Sequence, residues 1–169
     1  MDAFKFSADV IQAMAKVPQN EIIRRYRAAR GYALKLPRAN GKSASLGIGM
    51  GGADSFQFAA EVPDLDAAVV FYGTSPADSV LSRIKAPVAG FYGEDDTRVM
   101  QTVKRAEDTM KRLGKTYAVH VYHGATQAFL RSQAEGQNGA ATAEALDQHR
   151  RALLSACGGA KRRHLRKLV

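Results

Sequence analysis

The sequence predicts an α/β protein built on a mostly parallel sheet of about four strands, with helices on both faces. Short, uniformly apolar segments alternate with segments of helical periodicity along the 169 residues. Strands without polar alternation are typical of parallel sheets that are covered on both faces. Their alternation with helices is typical of right-handed β-α-β units. With 46% hydrophobic and 24% charged residues, the composition is that of an ordinary globular domain.

Two helices are predicted before the first strand. Residues 8–16 can form a short helix, and residues 20–35 carry apolar side chains at helical spacing. A turn at residues 37–41, rich in Pro, Asn and Gly, follows the second helix. The small, apolar segment 43–48 then predicts a first buried strand.

Three more strands alternate with helices in the rest of the chain. The segment 98–113 is clearly amphipathic, and Gly114 is placed to end this helix. Functional groups in such sheets gather beyond the carboxyl ends of the strands, where the unusual residues of this sequence lie. The predicted strands are 67–72, 87–92 and 117–122, and the predicted helices are 53–61, 76–84, 98–113 and 140–156.

Length and charge predict one domain, residues 1–159, followed by a basic tail, residues 160–169. The sequence has 25 Lys and Arg residues against 16 Asp and Glu residues, a net charge of +9. A basic tail can bind phosphate backbones, but this tail has no interleaved aromatic residues on which bases could stack. Nucleic acid is therefore not an expected partner. The tail cations are Lys161, Arg162, Arg163, Arg166 and Lys167.

Membrane, secretory and metal-binding classes are not favoured. No apolar run approaches the ~18 residues that a membrane span needs. The N-terminal segment has no apolar stretch typical of a secretion signal, so a cytoplasmic location is expected. The single cysteine, Cys157, cannot form an intrachain disulfide and excludes zinc sites of the paired CxxC kind. We expect neither a metal nor a cofactor.

A glycine cluster, Gly47-Ile48-Gly49-Met50-Gly51-Gly52, lies between a predicted strand and a predicted helix. Its spacing fits the dinucleotide fingerprint G-x-G-x-x-G, but the next strand ends without the acidic residue that would bind a ribose. It also fits a strand-to-helix elbow, G-x-nucleophile-x-G, in which small flanking residues let a sharp turn pack. In this second interpretation the nucleophile position is Gly49.

Four segments in order resemble the dienelactone hydrolase family of α/β-hydrolases, over roughly residues 20–150. The resemblance implies a partial, N-terminally truncated α/β-hydrolase fold. It also implies a small ester or lactone as substrate and a Cys/Ser–His–Asp triad. The four segments are LGIGMGG, PDLDAAVVFYG, IKAPVAGFYGEDD and YAVHVYHGATQAF.

Carried over position by position, the resemblance implies a degenerate triad. Gly49 stands at the nucleophile position, Asp96 at the acid position and Gln127 at the histidine position. Glycine has no side chain to attack a carbonyl, and glutamine cannot act as a general base near neutral pH. The sequence therefore predicts a hydrolase that is weak or uses an altered route. The alternative is a non-catalytic binding protein derived from the family.

Further roles follow from the same resemblance. The Met50 N–H could supply one oxyanion donor, and Arg131 could hold a substrate carboxylate. His123 is a possible substitute base, although an ordinary loop histidine is the other interpretation. Asp96 could also simply cap the helix that follows it.

The resemblance also bears on assembly. In the complete family fold the strand that matches 43–48 is central, whereas here its earlier neighbours are missing. An apolar strand with an unpaired edge favours association, so a homo-oligomer, most simply a two-fold dimer, is expected. The alternative is a monomer in which the helix at 8–16 covers this edge.

Overall fold

A computed structural model of the protein describes residues 12–13, 16–132 and 139–157. The chain divides into two compact units, Met1–Asn40 and Gly41–Val169. Most of the predicted helix at 8–16, and the whole basic tail at 160–169, lie outside the described residues.

In the first unit, helix α1 spans Gln19–Ala33, close to the predicted 20–35. Glu21, in its first turn, accepts hydrogen bonds from Arg24 at 2.6 Å and from Arg25 at 2.8 Å. The hydrogen bond from Arg24 is the largest cause that lowers the pKa of Glu21 to about 2. An acidic side chain is favourable at this end of a helix, because it faces the positive end of the helix dipole.

The second unit contains a four-stranded parallel sheet in which the strands lie side by side in chain order. The prediction of a parallel sheet is confirmed, and each strand boundary lies within one residue of the predicted one. The strands are β1 (Ala44–Ile48), β2 (Ala67–Phe71), β3 (Val88–Gly93) and β4 (Tyr117–Tyr122).

The helices of this unit differ more from the prediction than the strands do. Helix α2 begins three residues earlier than expected, α3 is shorter, and α5 is a short helix that the sequence did not predict. The helices are α2 (Met50–Glu61), α3 (Asp78–Leu81), α4 (Thr97–Arg112), α5 (Phe129–Ser132) and α6 (Gly139–Ala156).

Helices cover both faces of the sheet, as predicted. On one face Ser55 of α2 shares a 2.7 Å hydrogen bond with Ser45 of β1. On the other face the His149 ring of α6 packs edge-on against the Phe71 ring of β2, with centroids 5.5 Å apart. Right-handed crossovers between strands in sequential order place α2, α3 and α4 on the same face. Helix α6 therefore covers the opposite face.

Strand β1 is less buried than the sequence predicts. Leu46 is 47% exposed and Ile48 is 49% exposed, whereas every residue of β2 and β3 is buried. The reason is position: β1 lies at the end of the sheet, and α6 packs mainly over β2 and β3. Leu46 and Ile48 lie two residues apart, so both side chains project from the same face of the strand.

Two tyrosines, the fully buried Tyr92 and the partly buried Tyr117, join β3 to β4. The Tyr92 and Tyr117 hydroxyls lie 2.6 Å apart in a hydrogen bond. Gly90 makes room for this pair, since a Cβ atom there would lie 2.4 Å from the Tyr92 ring. Burial raises the pKa of Tyr117 to about 12, and it raises the pKa of Tyr92 well above 10.

This pair predicts a loss of stability at alkaline pH. Below pH 10 both tyrosines are neutral whether the chain is folded or unfolded, so they add no pH dependence. Between pH 10 and about 12 the unfolded chain loses these protons while the folded chain keeps them, so the free energy of unfolding falls. Each tyrosine contributes about 1.4 kcal/mol per pH unit in this range.

Urea unfolding at several pH values between 9 and 11.5 measures this effect. We expect the Tyr117→Phe variant to lose stability less steeply than the wild type, by about one tyrosine's contribution. Tyr32→Phe is the matched control, because Tyr32 is 72% exposed. Equal slopes for Tyr117→Phe and the wild type would contradict the prediction.

Candidate functional site

The turn from β1 into α2 is a sharp elbow whose backbone suits glycine. Gly49 has φ 61° and ψ −119°, a combination that residues with a side chain rarely adopt. Its N–H donates to the Phe71 carbonyl at 2.9 Å, and its own carbonyl accepts from the Gly52 N–H at 3.0 Å. Hydrogen bonds on both sides therefore hold Gly49 in this conformation.

Close backbone packing explains most of the glycines around the elbow. A Cβ atom at Gly47 would lie 1.7 Å from the Gly51 carbonyl oxygen. A Cβ atom at Gly52 would lie 2.9 Å from the Gly73 Cα atom. At Gly51, by contrast, a Cβ atom would meet nothing within 4 Å. The elbow therefore needs glycine at 47 and 52, whereas position 51 has room for a side chain.

The space above Gly49 is open. A Cβ atom placed there would have the Tyr72 Cε2 atom as its nearest neighbour, at 3.9 Å. Tyr72 itself has φ 38°, and its ring packs edge-on against Phe129 with centroids 5.4 Å apart. Burial raises the pKa of Tyr72. Tyr72 was not among the predicted site residues, although its place directly after β2 was a signal that could have identified it.

Asp96 lies at the carboxyl end of β3 and caps helix α4. Its Oδ1 atom accepts a hydrogen bond from the Val99 N–H at 3.2 Å, so the capping interpretation is correct. Its Oδ2 atom is buried and has no hydrogen-bond partner among the described residues. A buried carboxylate oxygen without a donor is unfavourable. Asp96 thus caps the helix with one oxygen and leaves the other available to a donor.

The segment after β4 packs against the loop that carries Asp96. The Glu94 N–H donates to the Tyr122 carbonyl at 3.1 Å, and the Asp95 N–H donates to the Ala125 carbonyl at 3.2 Å. A Cβ atom at Gly93 would lie 2.3 Å from the Ala125 carbonyl oxygen, so the two backbones are in close contact. The segment 123–128 therefore lies across the end of β3.

Gln127 and Arg131 lie on this same returning segment, and both are exposed. Gln127 precedes Ala128, which has φ 61°, and the fully buried Phe129 ring. Among the described residues no side-chain hydrogen bond is found for Gln127 or Arg131. Their positions are compatible with contact to a bound ligand, and neither side chain is engaged in the described fold.

His123 is placed differently from the expectation for a substitute base. Its Nδ1 atom lies 2.8 Å from Glu94 Oε2, so its carboxylate partner is Glu94 and not Asp96. Gly49 follows β1 and His123 follows β4, three strands apart, which corresponds to about 14 Å at ~4.8 Å per strand. The side chain is 89% exposed. This geometry does not support proton transfer between His123 and a ligand at Gly49.

The remaining features of the site come from the backbone. Met50 is the first residue of α2, and the amide groups of a first helical turn have no partners within the helix. The Met50 N–H is therefore not used within the helix and can donate to a carbonyl oxygen bound beside the elbow. No group of three or more His, Cys, Asp or Glu side chains in the described part of the chain could hold a metal ion.

Comparison with known proteins agrees with this fold. The sequence profile of the dienelactone hydrolase family matches residues 3–154. A Methylorubrum extorquens protein assigned as a carboxymethylenebutenolidase is 31% identical over 134 residues, which is 71% of this chain and 45% of that protein. None of the helices in the described ranges is long and apolar enough to cross a membrane.

Two solved structures share the fold at low sequence identity. A Klebsiella pneumoniae protein assigned as a dienelactone hydrolase is 22% identical, with a TM-score of 0.73 over 85% of this chain and 63% of that one. A dienelactone hydrolase-like promiscuous phosphotriesterase from metagenomic libraries is also 22% identical, with a TM-score of 0.73 over 92% of this chain and 69% of that one. The chain thus spans about half to two thirds of the length of these proteins.

Proposed function

Because the chain belongs to the dienelactone hydrolase family, we propose that it carries a degenerate hydrolase site for small carboxylic esters or lactones. The observation that carries this proposal is the elbow at Gly49. It keeps a positive-φ backbone, close glycine packing and open space above the Cα atom, although the residue there has no side chain.

The proposed chemistry follows from what the site keeps and what it lacks. A substrate carbonyl at the elbow can accept a hydrogen bond from the Met50 N–H, and Arg131 can pair with a substrate carboxylate. An acyl-enzyme intermediate is not expected, because Gly49 has no nucleophile. Turnover in this proposal is direct attack by water, and it is slow because Gln127 cannot take the proton.

A second candidate function is binding without catalysis. It is favoured by the side chain nearest to Gly49, which is Tyr72. Burial raises the pKa of Tyr72, so its hydroxyl stays protonated near neutral pH and cannot act as a base. In this case esters or lactones bind but are released unchanged.

Hydrolysis of a small aryl ester tests the proposal. We expect slow, steady release of the phenol with no initial burst, at a rate at least about 1,000-fold below that of an intact triad. The His123→Ala variant should have the same rate as the wild type, because His123 lies about 14 Å from the elbow. A cytoplasmic location for this activity stays a prediction.

Three results would decide against parts of this proposal. A burst equal to the protein concentration would show a covalent nucleophile that the proposal excludes. A lower rate in His123→Ala would show that this histidine takes part. Binding of the ester by calorimetry, with hydrolysis no faster than in buffer, would favour the second function.

We also propose that the chain forms a homodimer through β1. Within the described residues β1 pairs with β2 alone. Leu46, Ile48 and Met50 are 47%, 49% and 52% exposed, and they follow one another at every second position. An apolar row beside an unpaired strand edge favours association with a second chain.

Sedimentation at micromolar concentration tests the dimer. We expect a species of twice 18.3 kDa for the wild type. Leu46→Lys should shift it to the monomer, since a lysine on an edge strand opposes pairing. Leu113→Lys is the control, because Leu113 is similarly exposed, at 43%, and lies after α4. A single 18 kDa species for the wild type would refute the dimer.

A further inference from the structure

A second concave region lies far from the elbow, between β4 and the first half of α6. The cavity has a volume of about 580 Å³. Five consecutive residues, 119–123, line one side of it, and Ala140, Ala141, Glu144 and Gln148 line the other side. It therefore has the form of a groove between a strand and a helix.

The run of five consecutive lining residues shows where the groove lies relative to the strand. Successive side chains of a strand point to opposite faces of the sheet, so a cavity on one face would touch alternate residues. A cavity that touches every residue lies along the strand's edge. Among the described residues β4 pairs with β3 alone, so this edge is the end of the sheet.

The hydrogen bonds to β3 identify which amides face the groove. The carbonyls of Thr116 and Tyr122 accept from N–H groups on the β3 side. The N–H and C=O groups of successive residues point to alternate edges of a strand. Those of the even-numbered residues of β4 therefore point toward β3. The N–H and C=O groups of Val119 and Val121 therefore point outward, toward the groove. These are the groups with which an added strand would pair.

The helix side of the groove presents a fixed carboxylate. The Tyr122 hydroxyl donates to Gln148 Oε1 at 2.9 Å, and Gln148 Nε2 donates to Glu144 Oε1 at 2.8 Å. This chain of hydrogen bonds holds the Glu144 carboxylate on the wall of the groove. In the described part of the structure no Lys or Arg side chain forms an ion pair with Glu144. The groove thus offers unpaired strand amides along one side and a negative charge on the other.

We propose that the groove between β4 and α6 binds an extended peptide of a partner protein, which adds as a strand to β4 and places a Lys or Arg side chain against Glu144. Pairing to an exposed sheet edge beside a helix is an established way to bind peptides, in which backbone bonds give affinity and side-chain pockets give selectivity. The peptide residues before and after this Lys or Arg would lie on the other face of the sheet, next to the exposed Val121 side chain. Apolar β-branched residues are therefore favoured at these two peptide positions.

An extended peptide fits these observations better than a compact ligand or a second copy of the chain. A compact ligand would not need four consecutive residues of β4 together with the residue that follows them. A second copy that paired through its own β4 would bring a second Glu144 carboxylate to the same interface, and like charges oppose association. The charge of Glu144 thus selects a basic partner.

Fluorescence anisotropy with a labelled Thr-Val-Lys-Val-Thr peptide and the full-length chain tests the proposal. We expect saturable binding that weakens at least about tenfold when alternate peptide amides are N-methylated, because the strand pairing is then lost. Replacing the peptide lysine by glutamate should weaken binding about three- to tenfold or more.

Variants of the chain provide the matched test. Glu144→Gln should weaken binding of the lysine peptide about three- to tenfold and leave binding of a peptide with norleucine in place of lysine unchanged. Asp147→Asn is the control, because Asp147 lies on the same helix, carries the same charge and pairs with Arg151. Val121→Pro removes an outward N–H but no bond to β3, so it should weaken both peptides.

Several results would overturn the proposal. They are equal binding of the N-methylated and unmodified peptides, equal effects of Glu144→Gln and Asp147→Asn, and absence of binding up to millimolar peptide. A dimer that Val121→Pro converts to a monomer, without peptide binding, would instead assign the groove to a second copy. None of these measurements depends on hydrolysis, so they are independent of the function proposed for the elbow.

Discussion

A chain with both Gly49→Cys and Gln127→His is expected to hydrolyse small aryl esters at least about 100-fold faster than the wild type. Each change supplies one group that the site lacks. Cysteine supplies a nucleophile on the elbow, and histidine supplies a base on the segment that lies across the end of β3. Neither single variant should exceed the wild-type rate by more than a few-fold, since a nucleophile and its base act as a unit.

Three structural observations support this gain. The space above Gly49 is open, with the nearest atom 3.9 Å from a Cβ atom placed there. The hydrogen bonds of Gly49 hold the elbow in shape, so the strain of a side chain at φ 61° is expected to lower stability by about 1–3 kcal/mol without changing the turn. Asp96 keeps a buried oxygen without a donor, which an imidazole N–H at position 127 could fill.

Steady-state hydrolysis of a p-nitrophenyl ester, with circular dichroism to confirm folding, measures the gain. Adding Asp96→Asn to the double variant should remove most of it, by roughly 100-fold or more, because an amide does not orient or stabilise a histidine cation. Asparagine is as good a helix cap as aspartate, so this third change leaves α4 capped. A folded double variant without increased activity would show that the site geometry is lost.

The second large expected effect is on the free energy of unfolding, and it differs in sign between Gly47 and Gly51 of the elbow. Gly47→Ala is expected to lower the free energy of unfolding by about 3 kcal/mol or more, because its Cβ atom would overlap the Gly51 carbonyl oxygen and neither backbone can move freely. Gly51→Ala is expected to raise it by about 0.5–1 kcal/mol, because alanine favours the first turn of α2 and meets no atom within 4 Å.

Urea denaturation of both variants measures this difference. The two residues are four apart and share one turn, so each variant is a control for the other. A similar loss of stability in both would show that the whole elbow is intolerant of side chains. Little effect of either would show that the elbow relaxes more easily than its close contacts imply.

The strands could be predicted from the sequence because β2, β3 and β4 carry runs of apolar residues that a covered parallel sheet requires. The early start of α2 could not be predicted, because two of its first three residues, Gly51 and Gly52, are poor helix formers. The turn is held instead by close backbone contacts with Gly47 and Gly73, which the sequence alone does not show. Helix α5 is too short for periodicity to show; the buried Phe129 ring fixes it.

The site could be predicted in part. The resemblance places Asp96 at the acid position, and its place before an amphipathic helix predicts a cap, which the hydrogen bond from the Val99 N–H confirms. His123 shows the limit of sequence proximity. It is four residues from Gln127, but its ring pairs with Glu94 and lines the groove beside β4. Glu94 is the carboxylate partner of His123. The sequence alone could not distinguish it from Asp95 and Asp96, because the register of β3 and β4 decides which acid faces His123.

The sequential order of the strands has a consequence for how the chain folds. Among the described strands, β2, β3 and β4 each pair with the strand before them in the chain, so each of these pairings closes one β-α-β unit without waiting for a distant segment. Contacts between residues close in sequence lower the contact order and favour fast folding for a parallel sheet. On the ribosome, β2 can pair with β1 as soon as β2 itself has emerged behind α2, and β3 and β4 can add in turn. Assembly of this sheet can therefore keep pace with synthesis.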